Sequence, residues 1–494
     1  MKSRVAVLAI LLAAFPALCV AENVTTYHNS LTRHGAYTVK GLTLSAAQTM
    51  HPDTHFKAKL DGHIYAQPLF WHPNGAKRGE VIVATESNVV YALDSATGAV
   101  IWKTSLGQPV PLSDLPCGNI DPDGITGTPA IDPAAGVLYL DALTLKKSQP
   151  THLVYALSLA DGSVAANWPL DIGKALAGKG VTFSSSTQGE RSALLLFGGD
   201  LYVNYGGNWG DCGSYNGTVV QLDPSSQKIV GNWATRANGG GIWAQGGIAG
   251  DGDSLYVTTG NTFGATQWSD GEAIIRLRPG LRHSLKTKDY FTPSNWKTLD
   301  NEDLDLGGTE ALPIDIAVPG SPPAKRVIAF GKDGNAYLAD RTSLGGVGGS
   351  LAIAPVSNGS IITSPAVYQT SSATMAGFSS SGGGGCSGSN LTMLDVAASG
   401  GSPITVAWCA PFNGRGAPIV TTTDGTANAI VWVAGAEGDG ELHGFNALNG
   451  QTIFSGAGTN MSGLHHFATI MAAESRLYVA ADGTVYAFAF TKAR

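Results

Sequence analysis

The stretch Tyr91-Ala92-Leu93-Asp94-Ser95-Ala96-Thr97-Gly98-Ala99-Val100-Ile101-Trp102 constrains this chain more than any other, because variants of it return from one end to the other. A short strand through Asp94 meets a turn of small and polar residues ending in Gly98, and a second strand carries Trp102 back. Asp94 and Thr97 can hydrogen-bond the turn backbone, Gly98 can take φ > 0, and Trp102 brings a large apolar surface to set against a neighbour. Looser copies run through Tyr155-Ala156-Leu157, Val220-Gln221-Leu222-Asp223, Ile275-Arg276-Leu277, Tyr337-Leu338-Ala339-Asp340, Leu391-Thr392-Met393-Leu394-Asp395, Gly444-Phe445-Asn446 and Val485-Tyr486-Ala487, which makes eight. One hairpin cannot bury its apolar face alone, so the copies must stack.

Two further strands usually precede each hairpin, the first entering through a proline or small residue, as at Gln67-Pro68, Thr128-Pro129, Ser364-Pro365 and Ala417-Pro418. Four strands repeating at roughly 40 to 65 residues predict an all-β chain, an eight-bladed β-propeller of four-stranded antiparallel blades. The last copy ends at Phe488-Ala489-Phe490 with neither an outer strand nor a Trp. The N-terminal stretch Phe56-Lys57-Ala58-Lys59-Leu60 is the expected donor of the missing strand, closing the ring and removing its free edge. Residues 22–494 then form a single domain. At roughly 59 residues per blade it has long loops on at least one face.

Lys2 and Arg4, the apolar run from Val5 to Phe15 and the small residues near Ala21 have the form of a secretory signal over residues 1–21, too short for a permanent span. Cys19 follows Leu18, where a lipid-attachment site wants a small residue, so no membrane anchor is expected. The expectation is a periplasmic or secreted protein. Charged residues are only 14%, the formal charge is -7 and no basic cluster occurs, which argues against a nucleic-acid partner. Apart from Cys19 the cysteines are Cys117, Cys212, Cys386 and Cys409, an even number that in an exported chain suggests two disulfides. Cys117 with Cys212 and Cys386 with Cys409 is the preferred pairing, since each couples loops or strands of the same or adjacent units.

In a propeller the loops entering the inner strands converge on one mouth. Gln67, Thr126, Thr128, Arg191, Trp243, Gln245, Asp303, Asp305, Ser364, Arg415, His465 and His466 stand at those entrances and are predicted to meet there. Any one of them could instead tie blades together by hydrogen bonds. Gly239-Gly240-Gly241 before Trp243 lets backbone approach a ligand and presents the indole as a platform, although packing would use a Trp there equally well. Asn261, after Gly260 at a strand end, has an oxygen able to ligate Ca²⁺. Asp300, Glu302, Asp303 and Asp305 crowd a chain otherwise short of charge, and Asp303 and Asp305 could act as base or oxygen ligands. Lys332 lies in a hairpin, by default a solvated turn.

These residues carry a resemblance. The repeat with Ala92, Asp94, Gly98 and Trp102 is similar to the tryptophan-docking repeat of the pyrroloquinoline quinone (PQQ) propellers, the quinoprotein alcohol dehydrogenases and their relatives, over essentially the whole mature chain. Gly240-Gly241-Ile242-Trp243 resembles the segment that puts a Trp under the quinone, and Gly260-Asn261 the strand end that ligates calcium. Asp303-Leu304-Asp305 resembles the segment with the catalytic base, and Lys332-Asp333-Gly334 through Asp340-Arg341 one that contacts the quinone. The resemblance implies PQQ bound by Trp243 and Lys332 with Arg191, Gln67, Thr126 and Gln245 nearby. It further implies Ca²⁺ faced by Asn208, Asn261 and Asp305, Asp303 as base, and an alcohol or sugar as substrate.

The sequence also departs from that pattern. Asn208 replaces the family's metal-binding Glu, Glu302 stands where Trp is usual, and only Cys117 occupies the region of its paired cysteines. With no Cys-x-x-Cys-His site for haem, electrons would leave to a separate acceptor. Thr26-Tyr27-His28-Asn29, Gly62-His63-Ile64-Tyr65-Ala66-Gln67-Pro68 and Gly124-Ile125-Thr126-Gly127-Thr128-Pro129 resemble a branch of exported propellers labelled quinoproteins by repeat similarity. Two rivals share the mouth: a polysaccharide lyase or hydrolase, with Arg191 or Arg415 neutralising an acidic sugar and His466, His465 or Asp303 as base, and a non-catalytic scaffold resembling the propeller lipoprotein of outer-membrane assembly.

Overall fold

The computed structural model describes residues 23–370, 373–388, 390–456 and 458–491. The secretory signal expected over 1–21 lies outside them. Eight antiparallel sheets follow one another around a ring. Blade 1 runs Leu69–Trp71, Glu80–Ala84, Val89–Asp94 and Val100–Ser105, innermost strand first. Blades 2 to 7 repeat that meander over 130–171, 195–234, 249–292, 312–355, 366–410 and 419–455. Blade 8 supplies three strands, Ile470–Ala473, Arg476–Ala481 and Thr484–Ala489.

The repeat's turn works as its residues predict. Asp94 Oδ1 accepts from Ala96 N–H at 3.1 Å and from Thr97 N–H at 2.8 Å, and Gly98 sits at φ 72°. Trp102 Nε1 donates to Leu159 O of blade 2 at 3.0 Å, and its ring covers Gly162, where a Cβ would come within 2.4 Å of the indole. Trp408 repeats this on blade 7, donating to Ala447 O over Gly450. Each turn glycine is thus the floor on which the preceding blade's indole rests.

Closure comes from the N-terminus, by a different segment from the expected one. His51–Pro52 is the outer strand of blade 8, with His51 paired to Ala489 and Pro52 to Phe488. Residues 56–60 instead seal the seam: Lys57 N–H donates to Thr97 O, Leu60 N–H to Gly483 O, and the backbone at Lys57 covers Gly98. They fill the place a blade 8 tryptophan would take. Both disulfides join the expected partners, Cys117–Cys212 with Cα atoms 6.0 Å apart and Cys386–Cys409 with 5.8 Å.

The segment 24–39 enters the ring and fills the channel beneath one mouth. Its backbone bonds Phe70, Ile131, Gly250, Val367 and Val420 on the inner strands of blades 1, 2, 4, 6 and 7. Arg33, fully buried, donates to Leu194 O at 3.0 Å and Ile248 O at 2.9 Å, adding blade 3. His34 reaches Pro313 O of blade 5, and His28 reaches Thr469 Oγ1 at the start of blade 8. Every blade is tied to this plug.

Candidate active site at the channel mouth

Glycines set the floor of the mouth. Gly239 and Gly240 take φ of 88° and 64°, and Gly240 N–H donates to Asn261 O at 2.7 Å, which brings the backbone of the two entrance loops into contact. Trp243 follows, half-buried, with one face on a cavity of about 590 Å³. Gly260 lies under the indole edge. A Cβ there would stand 2.7 Å from Asp305 Oδ1 and 3.2 Å from Trp243 Nε1, so glycine is what lets those side chains meet.

Charge is concentrated on one wall. Lys332 Nζ lies 2.8 Å from Asp303 Oδ1, 2.7 Å from Asp305 Oδ2 and 5.1 Å from the centre of the Trp243 ring. Burial works against its charge, but Asp305 and Asp303 outweigh burial and hold its pKa above the ordinary lysine value. The two aspartates differ in exposure. Asp303, left-handed at φ 54° where the helix Trp296–Glu302 ends, has a side chain 67% exposed, while that of Asp305 is 3% exposed and accepts Asn261 N–H at 2.8 Å. Burial raises Asp305 above an ordinary aspartate, with Lys332 and the Asn261 N–H limiting the rise. Glu272 behind it is raised well above an ordinary glutamate, by burial and then by Asp305.

The cavity also carries a cation of another kind. The Arg191 guanidinium lines the cavity 5.8 Å from the Phe467 ring centre and has no hydrogen-bond or ion-pair partner among the described residues. Burial lowers its pKa, and Asp123, Tyr65 and Glu86 partly offset that. His466 Nδ1 meets Glu437 Oε1 at 2.7 Å, and burial leaves the imidazole below its ordinary pKa despite that partner. Trp209 shows an indole 63% exposed at the rim, on the loop that Cys117–Cys212 anchors beside Gly210.

Arg191, Asn208, Trp243, Asn261, Asp303, Asp305, Lys332 and His466 all line this one cavity. Gln67, Thr126, Gln245 and Arg415 do not. Gln67 and Gln245 turn down to the plug, where Gln67 Oε1 accepts His28 N–H at 2.9 Å and Gln245 Oε1 accepts the Tyr27 hydroxyl at 3.0 Å. Thr126 donates to Glu86 Oε2 at 3.2 Å, in a small cleft that reaches Arg191 from the side. Arg415 is exposed and outside the cavity. His465 points to Asp482, away from the floor. Trp209, Asp211 and Tyr215 went unread in the sequence, although Trp209 adjoins Asn208 and an aromatic beside glycines was the available signal.

No protein-family model and no curated protein matches the sequence. Solved structures match its shape. The quinohemoprotein alcohol dehydrogenase from Comamonas testosteroni superposes with a TM-score of 0.63 at 15% identity, covering 96% of this chain and 81% of that one. A europium-containing methanol dehydrogenase gives 0.62 at 14%, covering 94% and 90%. BamB from Moraxella catarrhalis gives 0.50 at 17%, covering 90% and 99%. At such identities the likeness is one of fold. The chain therefore has the eight-bladed architecture found in the PQQ-type alcohol and methanol dehydrogenases.

Proposed function

We propose that the cavity binds a flat, polyanionic redox cofactor of the PQQ class and oxidises a small alcohol or sugar hydroxyl. The observation that carries this reading is one indole face with an ammonium 5.1 Å from its centre, in a cavity also lined by the Arg191 guanidinium, which has no hydrogen-bond or ion-pair partner among the described residues. An aromatic slab bearing carboxylates would satisfy all three by stacking and charge. The volume lies within the roughly 300–1,000 Å³ typical of small-ligand pockets. Trp243 would hold the ring plane, Arg191 and Lys332 its anionic and carbonyl oxygens, and the quinone would supply a two-electron acceptor.

Calcium fits the residues poorly. Ca²⁺ takes about six to eight oxygens, yet both oxygens of Asp305 are engaged, by Asn261 N–H and by Lys332. Asn208, which donates its amide N–H to Ser186 O at 3.0 Å, offers only a neutral amide oxygen where a carboxylate would bring charge. A divalent ion would have to displace the ammonium that joins the two aspartates, so no step is derived through it.

Asp303 is the exposed acid of the pair and takes the substrate hydroxyl proton in this reading; Lys332, 2.8 Å away, orients its carboxylate. Buried Asp305 fixes Lys332. Trp209 shields the reacting groups from bulk water at the rim. A bound quinone would supply the acceptor for the hydride equivalent, two electrons and a proton, that leaves the substrate carbon, and its reoxidation would need a separate electron acceptor. The reading includes export, and among the described residues no helix is long and apolar enough to cross a membrane.

The test is titration of the purified mature chain with PQQ alone, followed by tryptophan fluorescence, then dye reduction with a panel of alcohols. Saturable quenching is expected, lost in Trp243→Ala. Asp303→Asn should keep binding and lose turnover by roughly 10²–10⁴-fold. Absence of saturable binding ends this reading. The carbohydrate-cleaving alternative keeps Arg191 and neutral His466 but loses Arg415, and release of reducing ends or unsaturated sugars would favour it.

A further inference from the structure

A second cluster of chemistry-bearing side chains stands outside that cavity, where blade 8 closes against blade 1. His63 Nδ1 lies 3.0 Å from Asp482 Oδ2, and His465 Nε2 lies 2.7 Å from Asp482 Oδ1. One ligand atom from each residue falls within 4.8 Å of the other two. We propose that His63, His465 and Asp482 form a binding site for a divalent first-row transition cation of the Zn²⁺ class, independent of the quinone reading.

The backbone brings the three together before any ion arrives. Asp482 occupies the turn between two strands of blade 8, and its N–H donates to Gly463 O at 2.9 Å, two residues before His465. The next N–H, of Gly483, donates to Gly62 O at 3.0 Å, one residue before His63. One tight turn is thus bonded to both histidine segments, and glycine at 463 allows that approach. A Cβ on Gly463 would sit 2.7 Å from the Asp482 Cβ. Tyr65 stacks on His465 with ring centres 4.2 Å apart and fixes its plane.

Hydrogen bonding alone does not use these atoms up. His63 Nδ1 is closed off from solvent and aimed at Asp482, yet makes no hydrogen bond of acceptable geometry. Neighbouring donors around a tetrahedral Zn²⁺-class ion stand about 3.3–3.6 Å apart, given metal–ligand lengths of about 2.0–2.2 Å. The two observed edges, 3.0 Å to Oδ2 and 2.7 Å to Oδ1 of the same carboxylate, are shorter than that. An ion would therefore replace the His465–Asp482 hydrogen bond with a small outward shift of the imidazoles, and half-exposed His63 can rotate to close the third edge. Two imidazoles and one carboxylate select borderline cations over calcium or magnesium. The side chains are 46%, 23% and 31% exposed in the order His63, His465, Asp482, which leaves coordination positions open to water. An ion there would join the segments that close the ring, one residue from His466 on the cavity wall.

The experiment uses the whole mature chain, stripped with a chelator and titrated with Zn²⁺ by calorimetry in a non-chelating buffer, with Co²⁺ absorption as a second readout. One saturable site is expected, with cobalt ligand-field bands and a melting temperature raised by Zn²⁺. His465→Ala and Asp482→Asn should each weaken binding by at least about tenfold and abolish the thermal shift; His55→Gln, exposed elsewhere, should change neither. Should His465→Ala fail to fold, the more exposed His63→Gln replaces it. No saturable Zn²⁺ uptake, or unchanged uptake in His63→Gln or Asp482→Asn, overturns the proposal.

Discussion

Lys332 is held by two aspartates that differ in burial, and that difference separates structure from chemistry at the residue scale. Asp305 is enclosed with Glu272 behind it, so Asp305→Asn leaves an ammonium with one exposed partner and is expected to cost roughly 1–3 kcal/mol in a denaturant titration. Asp303→Asn touches solvent and should leave the melting curve nearly unmoved. Glu310 makes a second case. Burial pushes its pKa up to about 7, against the pull of Ser364 and Arg33. The folded state therefore holds a proton that the unfolded chain has released above its ordinary pKa, and stability is lost as pH rises through that interval. The loss is roughly 3 kcal/mol between pH 4.5 and 8. Melting temperatures across that range should fall in the parent and fall less in Glu310→Gln; equal slopes would sink the assignment.

At the scale of the element, the unit of cohesion is an indole of one blade on a glycine of the next. Trp102 over Gly162 and Trp408 over Gly450 both bury an aromatic ring and satisfy its N–H. Trp102→Ala should cost about 3–5 kcal/mol in urea unfolding. Blade 8 has no such Trp, and residues 56–60 cover Gly98 instead; that stretch was expected as the closing strand because it precedes the first blade. A strand needs paired backbone, and His51–Pro52 provides it. The disulfides differ in the loop they close, 95 residues for Cys117–Cys212 and 23 for Cys386–Cys409. Chain entropy favours the longer by about 1 kcal/mol. A double Cys→Ser variant at 117 and 212 should therefore melt below one at 386 and 409.

The whole molecule is organised around a channel that its own N-terminal segment fills. Arg33→Met would leave the Leu194 and Ile248 carbonyls without donors and Glu310 without its nearby cation. A loss of roughly 3–5 kcal/mol is expected, read as an early unfolding transition. Blade number, turn chemistry and disulfide partners were legible in the sequence because each depends on residues close in the chain or on repetition. Part of the mouth was legible too: of the residues read at blade entrances, Arg191, Trp243, Asp303, Asp305 and His466 line the cavity, because residues before inner strands share one end of any propeller, whereas Asn208, Asn261 and Lys332 were placed there through the family resemblance. The plug was not, because Thr26-Tyr27-His28-Asn29 carries no local periodicity that says it will enter a ring. Gln67 and Gln245 were misplaced for that reason: they stand at the mouth in sequence but bond to a segment below it.

Repetition of a strand–turn–strand unit with a wedge at its end determined, by itself, that eight sheets would stack and where their loops would gather. Direction is another matter. Whether a side chain at a loop faces an open cavity, a buried acid or a threaded segment depends on atoms brought from hundreds of residues away. Only the packed ring decided that Arg191 has no hydrogen-bond or ion-pair partner among the described residues, that Lys332 bridges two aspartates and that His63 and His465 meet at one carboxylate.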